Sequence, residues 1–268
     1  MSSEYYVLTY LLIAVVGLAV GSFVNVVIAR VPEGRSIVRP ASACPSCGHE
    51  LRRRDNIPVV SYVLLHGACR DCRTHISMRY PVVELANTAL WLALTSWALT
   101  SNHAGLLPLL LVLGSACIAL FCIDLDTHRL PNAIVLWLYP ITAAGLVLAG
   151  VLGGEWPWLS ALAGAALWLA VFGLVWLISG GRGLGLGDVK LAPVLGATLG
   201  WIGLSPAVVG LFATWVLGGS VAIALIVTGR AKRGTHLAFG PFMILGGAVA
   251  IWLGADIANW YLGANGLT

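Results

Sequence analysis

Long apolar runs make up most of this chain, and short polar breaks separate them. The first runs from Tyr5 to Ala29. Others lie near 81–101, 105–123, 131–152, 158–179, 189–205, 207–229 and 240–264. Each is close to the ~20 residues a helix needs to cross ~30 Å of hydrocarbon. The pattern predicts an all-α polytopic membrane protein with about eight transmembrane helices. The sixth segment is the weakest, because it is short and holds Pro193 and several glycines. The opening Met1-Ser2-Ser3-Glu4 carries no basic flank, and the run behind it is longer than a signal-peptide core. A retained first helix is therefore expected. The only long polar stretch is 30–80. The expected organisation is a first helix over 1–29, a loop domain over 30–80 and a seven-helix membrane domain over 81–268.

Composition agrees with this pattern. The 268 residues are 59% hydrophobic and 10% charged, which excludes an ordinary water-soluble globule and a disordered chain. The basic residues then orient the helices. Nine of fifteen Lys and Arg fall between Arg30 and Arg79. The others are Arg129, Arg182, Lys190, Arg230, Lys232 and Arg233. With eight spans all of them fall on one side, and the opposite connections carry none. The positive-inside rule makes that side the cytoplasm and puts the N-terminus outside. The run Arg52-Arg53-Arg54 fits this role, or contact with anionic lipid, better than nucleic-acid binding.

The loop is too short for a core of its own without a staple. Cys44-Pro45-Ser46-Cys47 and Cys69-Arg70-Asp71-Cys72 supply one, with 21 residues between the pairs. Two such knuckles resemble a zinc ribbon, in which each tight turn offers two thiolates to a tetrahedral ion. A reducing cytoplasmic face disfavours two disulfides. The expected metal ligands are Cys44, Cys47, Cys69 and Cys72, holding structural zinc. His49, His66 and His75 are unnecessary beside a full cysteine set. Cys117 and Cys122 read as apolar packing residues.

Only eleven Asp and Glu are present, so each can be weighed. Asp124 and Asp126 close the third apolar run, and Asp188 follows Gly183-Leu184-Gly185-Leu186-Gly187 at the entry to the sixth. Topology returns both places to the same membrane level. A carboxylate at that depth is costly and points to function. Two near each other would share a proton, as in an aspartic protease. Two other readings stay open on the residues alone. Asp188 can cap its helix, and a zinc-bearing, proton-coupled transporter also uses acids at depth. The glycine run lacks the spacing of a phosphate loop. Asp256, in the last helix, has no role in the protease reading.

Together these motifs resemble the type IV prepilin peptidases, membrane aspartic proteases of the GxGD kind. The matching stretches are Gly17-Leu18, Gly21-Ser22-Phe23-Val24-Asn25-Val26 and Arg30-Val31-Pro32. The double cysteine knuckle follows, with Asn56-Ile57-Pro58 inside it, and then Ile76 to Pro81 and Glu84. Asp124-Leu125-Asp126, Leu130-Pro131-Asn132, Gly185-Leu186-Gly187-Asp188-Val189-Lys190-Leu191 and Phe239-Gly240-Pro241-Phe242 complete the series. The resemblance implies Asp124 and Asp188 as the catalytic pair, with Asp126, Gly185, Gly187 and Lys190 in support. It implies cleavage of prepilin and pseudopilin leaders at the cytoplasmic face of a bacterial inner membrane. It further implies S-adenosylmethionine-dependent methylation of the new N-terminus, with Glu84 and Arg79 as candidate residues. The chain departs from the family pattern at Leu184, Asn132 and Ala238, and none of these is a proposed catalytic group.

Overall fold

The computed structural model describes residues 3–229 and 237–265. Arg230, Lys232 and Arg233 of the basic tally, and the opening Met1-Ser2, lie outside the described residues. Nine α-helices are seen among those described: α1 (Ser3–Arg30), α2 (Val60–Leu64), α3 (Arg79–Thr100), α4 (Leu107–Thr127), α5 (Asn132–Gly153), α6 (Trp158–Ser179), α7 (Leu186–Ile202), α8 (Leu204–Val227) and α9 (Gly240–Ala264). Among the described residues, pairing between extended segments is limited to two isolated bridges, Ala43 with Glu50 and Ala68 with His75. Among the described residues, seven helices are long and apolar enough to cross a membrane. Helix α7 corresponds to the weak sixth segment and has 17 residues, or about 25 Å.

The helices stop where backbone chemistry requires it. Helix α4 ends at His128, whose φ of 51° leaves the helical region, and Pro131 three residues on blocks continuation. Helix α5 ends at Gly154, with φ of 74°, a conformation that glycine adopts without a Cβ clash.

The chain forms two compact units. One gathers Met1–Thr100 with Leu110–Ala119, the other Ser101–Leu109 with Leu120–Thr268. In the first unit α1 lies against α3 at close range. A Cβ on Gly21 would stand 2.8 Å from the Glu84 Cα, so only glycine permits this approach. A buried polar chain crosses the same unit. Asn87 Nδ2 donates to the Gly17 carbonyl at 2.8 Å, Ser115 Oγ donates to Asn87 Oδ1 at 2.8 Å, and Trp91 Nε1 donates to Ser115 Oγ at 2.9 Å. In lipid, helices gain little from apolar contact alone, so such bonds and small residues hold them together.

The second unit is built around α7. This helix contacts α5, α6, α8 and α9, and ten of its 17 residues are buried. Gly164 of α6 and Gly196 and Gly200 of α7 bring the two backbones into direct contact. Trp168 Nε1 donates across to the Ala207 carbonyl of α8 at 2.9 Å. A helix enclosed by protein need not be uniformly apolar or bilayer-long. That explains why its hydropathy signal was weak.

Candidate active site

Asp124 occupies the last turn of α4 and Asp188 the first turn of α7. The third apolar run therefore extends past residue 123, and the sixth helix begins at Leu186, three residues before the position hydropathy suggests. The shift has a local cause. Asp188 Oδ2 accepts the Gly185 N–H at 3.0 Å, while the Asp188 N–H donates to the Gly185 carbonyl at 3.1 Å. This reciprocal pair starts the helix at the end of the glycine run.

Both carboxylates are buried, with Asp124 4% exposed and Asp188 7%. Asp124 Oδ2 accepts the backbone N–H of Gly240, the first residue of α9, at 3.0 Å. Asp188 Oδ1 is buried and has no hydrogen-bond partner among the described residues. Asp124 lies close enough to act on Asp188 electrostatically. Asp188 is thus a cap through one oxygen and available through the other. A buried carboxylate oxygen without a donor is costly, and a catalytic role is one of the few that justify it.

Leu130 separates the glycines around the pair. A Cβ on Gly187 would stand 2.8 Å from Leu130 Cβ, and one on Gly240 would stand 2.8 Å from Asp124 Oδ2. Gly240→Ala should therefore displace the Asp124 carboxylate while leaving the rest of α9 seated. A misplacement of that order lowers turnover by about 10²-fold. Single-turnover cleavage by the variant, at unchanged melting temperature, checks this, and near wild-type turnover would show that the contact is unimportant.

The supporting residues divide. Gly185 supplies the capping N–H. Lys190 Nζ donates to Asn132 Oδ1 at 3.0 Å, and Tyr139 OH donates to the Lys190 carbonyl at 2.8 Å. These bonds tie the first turns of α7 to α5. Asp126 is exposed on the last turn of α4. The roles of the Gly240 N–H, Leu130 and Tyr139 could not be read from the chain. Only the Gly-Pro step at 240–241, a typical helix opening, signalled that a bare N–H would be available there.

The four cysteines come together in the first unit. Their Sγ atoms all lie within 4.8 Å of one another, and Cys44 and Cys72 are 3.7 Å apart. A tetrahedral ion with Zn–S bonds of ~2.3 Å has sulfur edges of about 3.8 Å, so the donor set fits zinc. The knuckles repeat one design. Cys44 N–H donates to the His49 carbonyl and Cys69 N–H to the Thr74 carbonyl, each at 2.9 Å. Gly48 and Arg73 take matching left-handed positions, with φ of 72° and 60°. Hydrogen bonds from Thr74 hold the Cys72 thiol down at about 6. Backbone bonds from Cys47 and Ser46 also favour the Cys44 thiolate. Cys47 receives a favourable bond from His49, but burial and the neighbouring sulfurs push it up to about 12. Four thiolates at this range would be stabilised by a cation among them. Beside the knuckles, Arg70 clamps Asp55 with bonds of 2.9 and 2.6 Å.

Glu84 and Arg79 do not form a pair of equals. Arg79 opens α3 and is exposed. Glu84 is buried, accepts the Val59 N–H at 2.7 Å and is bonded by the Ser22 hydroxyl.

Comparison with known proteins shows the family. The Bacterial Peptidase A24 N-terminal domain matches residues 15–98, and the Type IV leader peptidase family matches residues 111–228. A prepilin leader peptidase/N-methyltransferase of Aeromonas salmonicida is 36% identical over 95% of this chain and 94% of its own. The chain belongs to the type IV leader peptidase family. Proteins with the same name from Neisseria gonorrhoeae and Pseudomonas aeruginosa are each 36% identical, covering 94% and 92% of this chain and 94% and 91% of their own. No solved structure matches. This leader peptidase carries Asp124 and Asp188 inside the second matched region and all four knuckle cysteines inside the first. The transporter reading has no support: the matched families are peptidases, and Asp256 is exposed on α9.

Proposed function

We propose that this peptidase removes the leader of prepilins and pseudopilins at the cytoplasmic face of a bacterial inner membrane, with Asp124 and Asp188 as its catalytic pair. The observation that carries the assignment is the buried, donor-free Asp188 Oδ1 beside Asp124. Close carboxyls share one proton, because both cannot ionise cheaply. The ionised partner takes a proton from water, and the water oxygen bonds to the scissile carbonyl carbon. The protonated partner donates to the developing oxyanion. Collapse of the tetrahedral centre breaks the C–N bond, and the departing nitrogen takes up a proton as the free amine. The Gly185 and Gly240 N–H groups hold one oxygen of each carboxyl, leaving the remaining pair for the substrate. The basic loop, rich in Arg, supports placing this chemistry on the cytoplasmic side.

The relatives' second name supports a second step on the product. S-adenosylmethionine, when bound, would supply an electrophilic sulfonium-borne methyl for the new amine. In this reading Cys44, Cys47, Cys69 and Cys72 hold a structural zinc that shapes the loop.

Intact-mass analysis of a prepilin substrate, incubated with the protein in nanodiscs and S-adenosylmethionine, tests both steps. Loss of the leader and gain of one methyl are expected. A substrate left whole here but cut by the Aeromonas relative would overturn the assignment.

A further inference from the structure

A cavity of about 380 Å³ opens in the first unit, between the second half of α1 and the loop over 37–58. We propose that it is the binding site for S-adenosylmethionine, an inference that rests on the methyl-transfer reading. The size is at the lower end of the range for small-molecule sites and admits one nucleoside-sized cofactor. The walls match the parts of that molecule. Phe23, Val26 and Pro58 offer apolar surface for a flat base. Ser22, Ser42 and Asn56 offer hydroxyl and amide groups for a ribose diol. Arg30 stands at the loop side. Its guanidinium donates to the carbonyls of Ser36 at 3.0 Å and Pro40 at 2.8 Å. Neither partner is a carboxylate, so its positive charge is available to the cofactor's amino-acid carboxylate.

The cavity wall is also built to hold one shape. Val59, a β-branched residue, sits at φ 60° and ψ −49°, where such side chains are strained. Its N–H is held by Glu84 Oε2 at 2.7 Å, and the Glu84 carboxyl also bonds to Ser22 of the opposite wall. Ser61 fixes the neighbouring stretch, accepting the Ile57 N–H at 3.1 Å and donating to the Arg54 carbonyl at 2.8 Å. Glu84 and Ser61 are each 7% exposed. Two buried polar side chains thus hold Asn56–Pro58 and Ser22 in register before any ligand arrives. Backbone strain kept in place this way is characteristic of ligand clamps, and preorganisation lowers the entropy lost on binding. Glu84 acts here as a positioning residue. Loop residues Ile37 and Val38 are exposed at the cavity mouth, where bound cofactor would cover them.

The test uses the full chain in nanodiscs, with S-adenosylhomocysteine titrated by calorimetry and a photoreactive S-adenosylmethionine analogue mapped by peptide mass spectrometry. Labelling within residues 19–58 is expected. Ala19→Phe, which fills the cavity from α1, should raise Kd at least about tenfold, or ~1.4 kcal/mol. Glu84→Ala should raise it several-fold. Glu84→Gln, whose amide oxygen still accepts the Val59 N–H, should restore binding. Equal Kd values for Ala19→Phe and wild type would overturn the proposal. So would labelling confined to residues outside 19–58, including a result in which phospholipid fills the cavity. A wild type that cuts leaders but neither binds the titrant nor adds a methyl defeats the methyl-transfer reading itself. A wild type that methylates but is labelled elsewhere defeats only the site.

Discussion

Asp124→Asn and Asp188→Asn should each lower leader cleavage by at least about 10³-fold, because the proton shared between the two carboxyls then has no second carboxyl to serve. Asparagine is the informative replacement. Its side-chain oxygen still accepts the Gly185 or Gly240 N–H that each aspartate now receives. Loss of activity in a variant that melts like the wild type thus reports on chemistry rather than on the start of α7 or α9. Asp188→Ala would mix the two effects, since losing the cap alone costs about 1 kcal/mol. The measurement is single-turnover cleavage followed by intact mass. Turnover within tenfold of wild type in either asparagine variant would sink the pair.

The second large effect belongs to the cysteine cluster. Stripping the metal with a strong chelator, or replacing Cys44 and Cys72 together by serine, should unfold much of residues 30–80. Structural zinc contributes an apparent ~10–16 kcal/mol to small domains of this type, and the two isolated bridges around the knuckles give little independent support. The expected readouts are loss of a single equivalent of zinc, new protease cuts within 30–80, and at least a 100-fold fall in methyl addition. Cleavage should fall much less. Asp124, Asp188 and the residues that bond their side chains, Gly240 and Gly185, all belong to the second unit. Cobalt restored to the stripped protein should show the intense sulfur-to-metal absorption of a tetrahedral thiolate site. Protein that holds no metal and resists protease equally well would refute the zinc assignment.

Much of this protein could be read along the chain. Lipid cannot satisfy backbone polar groups, so each crossing must be a helix, and of the eight segments hydropathy suggested, seven match within a few residues the described helices long and apolar enough to cross. The cysteine pairs signalled their cluster because each knuckle places two thiols within one turn. Asp124 and Asp188 stood out because acids are rare in such a composition.

Other features existed only in the folded chain. Helix α7 is short and rich in glycine, so hydropathy placed it at 189–205 rather than at 186–202. Its start is set by Asp188 bonding back to Gly185, and its length by burial among α5, α6, α8 and α9. The Gly240 N–H reaches Asp124 across 116 residues of sequence, and no periodicity can report a bond of that kind. Nor can the chain show that Asp188 caps with one oxygen and keeps the other free. Glu84, which the resemblance made a candidate for methyl transfer, is seen in the fold to anchor a strained loop at Val59. The helices, the grouping of the four cysteines and the prominence of the two acids were all legible along the chain, because lipid solvation and knuckle geometry act locally. Tertiary structure alone decided which carboxyl oxygens are occupied and which wall Glu84 holds. Those outcomes depend on hydrogen bonds between residues that become neighbours only when the helices pack.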